Sequence, residues 1–228
     1  MSFVSCGKDN AQNISSPQTP TAAAIEAQIE ETAKKELNLS FKTASPKNTW
    51  KVTYSQSILR HMETQEELAT LIDTPLNTLD LRLLKCQGYN YASIHDKKKF
   101  WVTFMASIAH AESSLNPMTT YREKDGTLSS GLLQIDVAAA NRHAGAYTGR
   151  RFTQADMFNP DLNLMAGLFI MKHQLEGSHN SKRPELVGRL FTDSHYYWSV
   201  LTSKRELIIK TFTINSLTNL PFCFTGSW

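Results

Sequence analysis

The sequence predicts a mainly α-helical domain interrupted by one small β-hairpin. Three observations carry that expectation. Apolar residues recur at helical spacing over Leu76 to Cys86, Lys97 to Ser114 and Asp161 to Leu175. Helix punctuation flanks these stretches: Asp96 as an N-cap, Asn159-Pro160 as a helix opening and Gly177 as a stop. A turn signal, Asp125-Gly126, sits inside Tyr121 to Ser130 and reads as the hairpin.

The elements follow in order. Residues 1–20 are rich in Ser, Gln, Asn, Thr and Pro, a composition that cannot bury a core. Thr21 to Leu39 reads as a polar amphipathic helix, with Ile25, Ile29 and Leu37 on one face. Phe41 to Asn48 carries Pro46 and reads as a linker. Residues 1–49 hold five Lys and five Asp or Glu, so they form a neutral, flexible and partly helical arm. From Trp50 onward a packed domain is expected, over residues 50–228. Gln65 to Ile72 and Leu76 to Cys86 read as helices. The helix from Lys97 to Ser114 contains FWVTFMASIAHAES, apolar nearly all round, which predicts a central and buried rod. Pro117 closes it. Val137 to His143, Asp161 to Leu175, Leu186 to Leu201 and Arg205 to Phe212 complete the expected helices.

Composition excludes several classes. A chain of 228 residues that is 41% apolar builds one full domain rather than two large ones. Lys+Arg 24 against Asp+Glu 21 leaves a net charge of +3, too little for a nucleic-acid binder. The longest apolar run, Leu164 to Met171, is far short of the roughly 20 residues of a bilayer span, so no transmembrane helix is expected. HExxH, CxxC, GxSxG and GxGxxG are all missing, so neither a metal nor a cofactor is expected. Cys6 follows Phe3-Val4-Ser5 like the lipid-accepting cysteine of a bacterial lipoprotein. Five preceding residues cannot hold a signal's apolar core, so an upstream start or a plain free cysteine are the two readings. Cys86 and Cys223 are either a disulfide or two buried thiols that never meet.

One carboxylate stands out. Glu112 ends the most apolar helix, after Ala109 and Ala111. Desolvation raises the pKa of a carboxyl in an apolar wall and suits it to general acid work. The plain alternative is a helix end pointing to water. Glu112-Ser113-Ser114-Leu115-Asn116-Pro117, then Ser129-Ser130-Gly131-Leu132-Leu133-Gln134-Ile135, then Asn159-Pro160-Asp161-Leu162-Asn163 resemble the signature of lysozyme-like lytic transglycosylases and goose-type lysozymes. Leu133 stands where Met is usual. The likeness spans about residues 98 to 201.

The resemblance implies a lysozyme-like helical domain with a small β-hairpin beside the catalytic groove. It implies a peptidoglycan glycosidase in which Glu112 protonates the glycosidic oxygen between muramic acid and glucosamine units. Ser130 and Gln134 would contact the sugars. The family's late Ala-Tyr-Asn-Ala-Gly string is absent. His195-Tyr196-Tyr197-Trp198 stands in its place, which puts Tyr197 in the role of the tyrosine that touches the glutamate, with Tyr196 second. The alternative for this aromatic cluster is simple core.

Two outcomes are open, hydrolysis or closure of a 1,6-anhydro ring by transglycosylation. Asp125 and Asp136 lie thirteen and twenty-four residues beyond Glu112, a spacing similar to that of goose-type lysozymes, which favours hydrolysis. Their plain readings are a turn residue and a helix N-cap. Between Glu112 and Asp136 four acids face two bases, Arg122 and Lys124. An acidic groove favours cationic, de-N-acetylated peptidoglycan, and the Tyr-Trp-Ser-Val-Leu departure resembles the deacetylation-specific lysozymes of predatory bacteria. The expected partners are peptidoglycan glycan strands, met by a monomer that is secreted or periplasmic, or anchored at Cys6. A non-catalytic wall binder and an enzyme of chitin-like chains are the competing classes.

Overall fold

The computed structural model describes residues 21–35, 37–177, 183–191 and 197–224. The chain begins with α1 (Ala22–Lys35), α2 (Val52–Thr64), α3 (Thr70–Asp73), α4 (Thr78–Leu83) and α5 (Ile94–Ser113). The strands β1 (Thr120–Arg122) and β2 (Leu128–Ser130) come next. After them run α6 (Val137–Ala140), α7 (Ala146–Thr148), α8 (Pro160–Leu175), α9 (Val200–Ser203) and α10 (Arg205–Asn219). Among the described residues the fold is mainly helical with one two-stranded antiparallel sheet.

Helix α5 is the rod around which the rest assembles. Every residue from Lys99 to Ala111 is buried, so neighbours must cover all its sides. Helices α2, α9 and α10 pack on it. Phe212 of α10 meets Phe100 and Phe104 of α5, with ring centroids 5.0 and 6.2 Å apart. The helix starts three residues before the expected Lys97. Ser93 is the cap, and its hydroxyl accepts the Asp96 N–H at 3.1 Å. In α8 the expected start holds: Asn159 caps by accepting the Asp161 N–H at 3.0 Å, and Pro160 takes the first turn.

Several helices are shorter than expected, among them Thr78–Leu83 and Val137–Ala140, and two more differ for reasons their contacts show. Leu186 to Leu201 is not one helix. Gly188 has φ of 72°, and a Cβ there would lie 2.2 Å from the Pro75 carbonyl oxygen. The Leu190 and Phe191 N–H groups donate to the buried Asp80 carboxylate at 2.7 and 3.3 Å, which takes them from any helical ladder. The last helix runs to Asn219 instead of Phe212, because its polar final turns find tertiary partners. The Asn215 and Asn219 amides accept the Ser40 and Asn38 N–H groups at 2.7 and 2.8 Å and donate to the same residues' carbonyls at 3.0 and 3.3 Å.

That ladder corrects the arm. Residues 37–42 are not a loose spacer but a strap laid along α10. Leu37 and Leu39 are buried, and the Lys42 carbonyl meets His110 Nε2 at 3.0 Å. Helix α1 packs against α2 through the buried Ile29. By packing, the domain begins well before Trp50. Cys6 lies outside the described residues.

Cys86 and Cys223 are joined in a disulfide across 137 residues of sequence. Closing so long a loop constrains the unfolded chain by about 4–5 kcal/mol. Reduction is expected to lower the melting temperature by roughly 10 °C, read by calorimetry with and without reductant. An unchanged melt would mean that the bridge does not constrain the fold.

Candidate active site

Glu112 is the penultimate residue of α5, beside a groove of about 760 Å³. The chain reverses at once behind it, with Ser114 and Leu115 at φ of 51° and 63°. Ser113 fixes the reversal. Its hydroxyl donates to the Ala109 carbonyl at 3.0 Å and to the Leu132 carbonyl at 2.8 Å. The end of the helix is thereby tied to the Gly131–Gln134 turn that floors the groove. Asn163 of α8 clamps that turn from below. It accepts the Leu133 N–H at 2.9 Å and donates to the Ser130 and Met157 carbonyls at 3.0 and 3.1 Å. Gly131, at φ of 84°, leaves room for this clamp. A Cβ would lie 2.1 Å from the Met157 oxygen and 2.5 Å from Asn163 Nδ2.

The hairpin forms one wall. Its register pairs Tyr121 with Ser129 and Arg122 with Leu128. Successive strand side chains alternate between faces. Tyr121, Glu123, Thr127 and Ser129 therefore turn to the groove, while Arg122 and Leu128 turn away. Ser130, from which a sugar contact was expected, is not among the residues that line the groove. It is fully buried, and its hydroxyl accepts from Gln154 Nε2 at 2.8 Å. Its neighbour Ser129 lines the groove instead and donates to Glu123 Oε1 at 3.3 Å.

The remaining expected residues fall as follows. Gln134 lines the groove, but its amide nitrogen donates to the Thr119 and Gly131 carbonyls at 2.9 and 2.8 Å. Asp125 lines the groove from the hairpin turn and accepts the Thr127 N–H at 2.9 Å; that bond holds its carboxyl below the usual range. Asp136 is the N-cap of α6, accepting the Ala139 N–H at 2.8 Å. Tyr197 reaches the groove but bonds to Asp136, not to Glu112. Its hydroxyl donates to Asp136 Oδ2 at 3.0 Å and accepts the Asp136 N–H at 2.8 Å. Asp136 thus gives the phenol an acceptor in its carboxylate and a donor in its backbone N–H. Burial first, then the Asp136 charge, pushes the Tyr197 pKa up, so the phenol stays neutral. Trp198 is core, with its indole N–H on the Leu133 carbonyl at 2.9 Å. Tyr196 lies outside the described residues.

Burial pushes Glu112 up to about 7. The Lys204 ammonium opposes that shift and the Glu123 carboxylate reinforces it. Lys204 Nζ donates to the Ala111 carbonyl at 2.5 Å, so it is held against the helix end that carries Glu112. Glu123 counted in the sequence only as a negative charge. The alternation of the hairpin is the signal that would have turned it toward Glu112. Among the described residues, four carboxylates line the groove against two cations, Arg142 and Lys204. Arg122 and Lys124, the bases near them in sequence, are not among the lining residues.

Residues 90–189 match the transglycosylase SLT domain. That match spans 100 of the chain's 228 residues. The SLT domain is one of peptidoglycan-acting, lysozyme-like enzymes, hydrolases and transglycosylases alike. Its match takes in Glu112, the hairpin and the Asn163 clamp, and stops short of the wall made by Tyr197, Trp198 and Lys204. No curated protein sequence matches the chain. Among solved structures, wild-type Bd0314 DslA aligns over 83% of this chain and 99% of its own, at 22% identity and a TM-score of 0.57. A glutamate-to-glutamine variant of the same protein aligns over 83% and 99%, at 21% identity and 0.58. A second such variant aligns over 75% and 91%, at 22% identity and 0.55.

The shifted carboxyl has a cost that can be measured. Glu112 ionises near 4.5 when unfolded and near 7 in the fold. Its stabilisation is therefore complete below pH 4.5 and is lost as pH rises toward 7 and above. Glu112→Gln removes that loss. The variant is expected to gain about 1–3 kcal/mol on the parent between pH 4 and pH 8, read as a widening gap in melting temperature. A gap that stays constant with pH contradicts the shift.

Proposed function

We propose that the protein is a peptidoglycan hydrolase, a lysozyme that cuts the β-1,4 bond between muramic acid and glucosamine units. Glu112 carries the reading: a carboxyl pushed up to about 7, on the wall of a groove, within the SLT domain. A group with that pKa is protonated and competent as an acid near neutral pH. Glu112 gives its proton to the glycosidic oxygen. The C1–O bond breaks, its electron pair stays on the leaving oxygen, and positive charge builds on C1. Water adds to C1 and passes a proton to a carboxylate. Lys204, seated on the Ala111 carbonyl, stabilises the Glu112 anion left behind.

Glu123 is the second carboxylate in this reading. It shares the groove and acts on Glu112 electrostatically. The two glutamate-to-glutamine variants of Bd0314 DslA alter positions eleven apart, and Glu112 and Glu123 are also eleven apart. Asp136 and Tyr197 are a positioning pair: each satisfies the other, and together they hold the wall opposite the hairpin. Asp125, Gln134 and Ser129 border the sugar path.

The four-to-two excess of carboxylates supports a cationic substrate, peptidoglycan that has lost N-acetyl groups. Such a sugar cannot use acetamido assistance, so water directed by protein carboxylates is the open route. The substrate lies outside the cytoplasm, and the Cys86–Cys223 bridge agrees with an oxidising compartment. The match to the transglycosylase SLT domain favours the second reading, in which the muramic 6-hydroxyl attacks C1 and leaves an anhydro end.

Two measurements separate the readings. Glu112→Gln is expected to clear cell-wall sacculi at least 100-fold more slowly than the parent; equal rates would remove Glu112 as the acid. Mass spectrometry of the parent's products is expected to give reducing ends, with chemically de-N-acetylated sacculi cut several-fold faster. Anhydro ends as the main product assign transglycosylation instead. Faster cutting of acetylated sacculi removes the preference for amines.

A further inference from the structure

Tyr121 is 59% exposed on the groove face of β1. Among the described residues, no hydrogen bond, ion pair or ring contact engages its side chain. Its backbone, by contrast, is fixed. The Thr119 carbonyl accepts both the Gly131 N–H and Gln134 Nε2, each at 2.9 Å, and Tyr121 pairs in register with Ser129. Tyr121 stands two residues, about 7 Å, along the strand from that pinned carbonyl. A large aromatic side chain thus lines the groove from a fixed backbone position.

The chemistry of the ring selects its occupant. A pyranose with equatorial substituents shows a flat array of axial C–H groups on each face. Those groups meet the electron-rich face of an aromatic ring favourably. Polar atoms stand close along the same hairpin face: the Glu123 carboxylate and the Ser129 and Thr127 hydroxyls. An apolar platform edged by a few polar groups is the usual build of a sugar site.

We propose that Tyr121 is the stacking platform of a sugar subsite on the hairpin side of the groove, seating a pyranose next to the bond that Glu112 cleaves. The proposal rests on the groove being a glycan site, as argued above. The ring supplies affinity and register, while the neighbouring carboxylates read charge. Stacking is therefore indifferent to whether the sugar keeps its acetyl group.

The test uses the Glu112→Gln chain, which holds a glycan without turning it over. Calorimetric titration is made with peptide-free peptidoglycan strands, acetylated and de-N-acetylated. Adding Tyr121→Ala is expected to raise Kd about ten-fold for both strands. Adding Tyr121→Phe is expected to leave Kd within about two-fold, because the ring and not the hydroxyl does the stacking. An unchanged melting temperature keeps the loss from being one of folding, since the side chain is exposed. Equal Kd for Tyr121→Ala and its Glu112→Gln background overturns the platform and leaves the glycan reading standing. A background chain that binds neither strand removes the glycan reading, and the platform with it.

Discussion

Glu112 loses part of its water at the electronegative end of a twenty-residue helix, while a second carboxylate on the facing hairpin adds its repulsion. All three effects disfavour the ionised form, and burial is the largest. Lys204 works the other way and keeps the shift from running further. The helix end must also stay where it is, because a carboxyl free to swing outward would recover its water and lose its proton. Hydrogen bonds from Ser113 and Lys204 hold that end.

The holding is done by tertiary hydrogen bonds of short reach. Ser113 ties the helix end to the turn at Leu132, and Asn163 ties the same turn to α8. Gly131 lets the strand, the turn and α8 approach closely enough for the clamp to form. Lys204 closes the free carbonyl of Ala111 from the C-terminal side. The strap at residues 38–42 reaches α5 at His110, two positions before the glutamate, and so braces the same end from behind. The Asn ladder on α10 holds that strap, which links the last long helix to the candidate site through a segment remote in sequence.

Local patterns in the sequence were enough for several parts. The unbroken apolar character of α5, the Asn159-Pro160 opening of α8 and the Asp125-Gly126 turn each produce the element they signal. The Glu-Ser motif and the Gly-Leu-Leu-Gln turn carried the family likeness that the SLT match shares. What the sequence could not carry was competition from distant partners. Asp80 takes the N–H groups of Leu190 and Phe191, so a helical pattern there does not become a helix. Asn215 and Asn219 look like poor helix formers, yet their helix persists because residues 38–40 occupy their amides. Distant partners also decided the serine: Ser129 lines the groove, while Ser130 is buried with its hydroxyl on Gln154 and its carbonyl on Asn163. The phenol of Tyr197 bonds to the carboxylate and the backbone N–H of Asp136, a pairing across sixty-one residues that no local pattern signals.

The central claim is that Glu112 keeps its proton near neutral pH, and the most direct test is to titrate that one carboxyl. Carbon NMR of glutamate-labelled protein, with the resonance assigned by its loss in Glu112→Gln, reports the midpoint without reference to any substrate. A midpoint close to 7 agrees with the account. A midpoint at the ordinary glutamate value of about 4.5 contradicts it, and with it the role of this carboxyl as a proton donor.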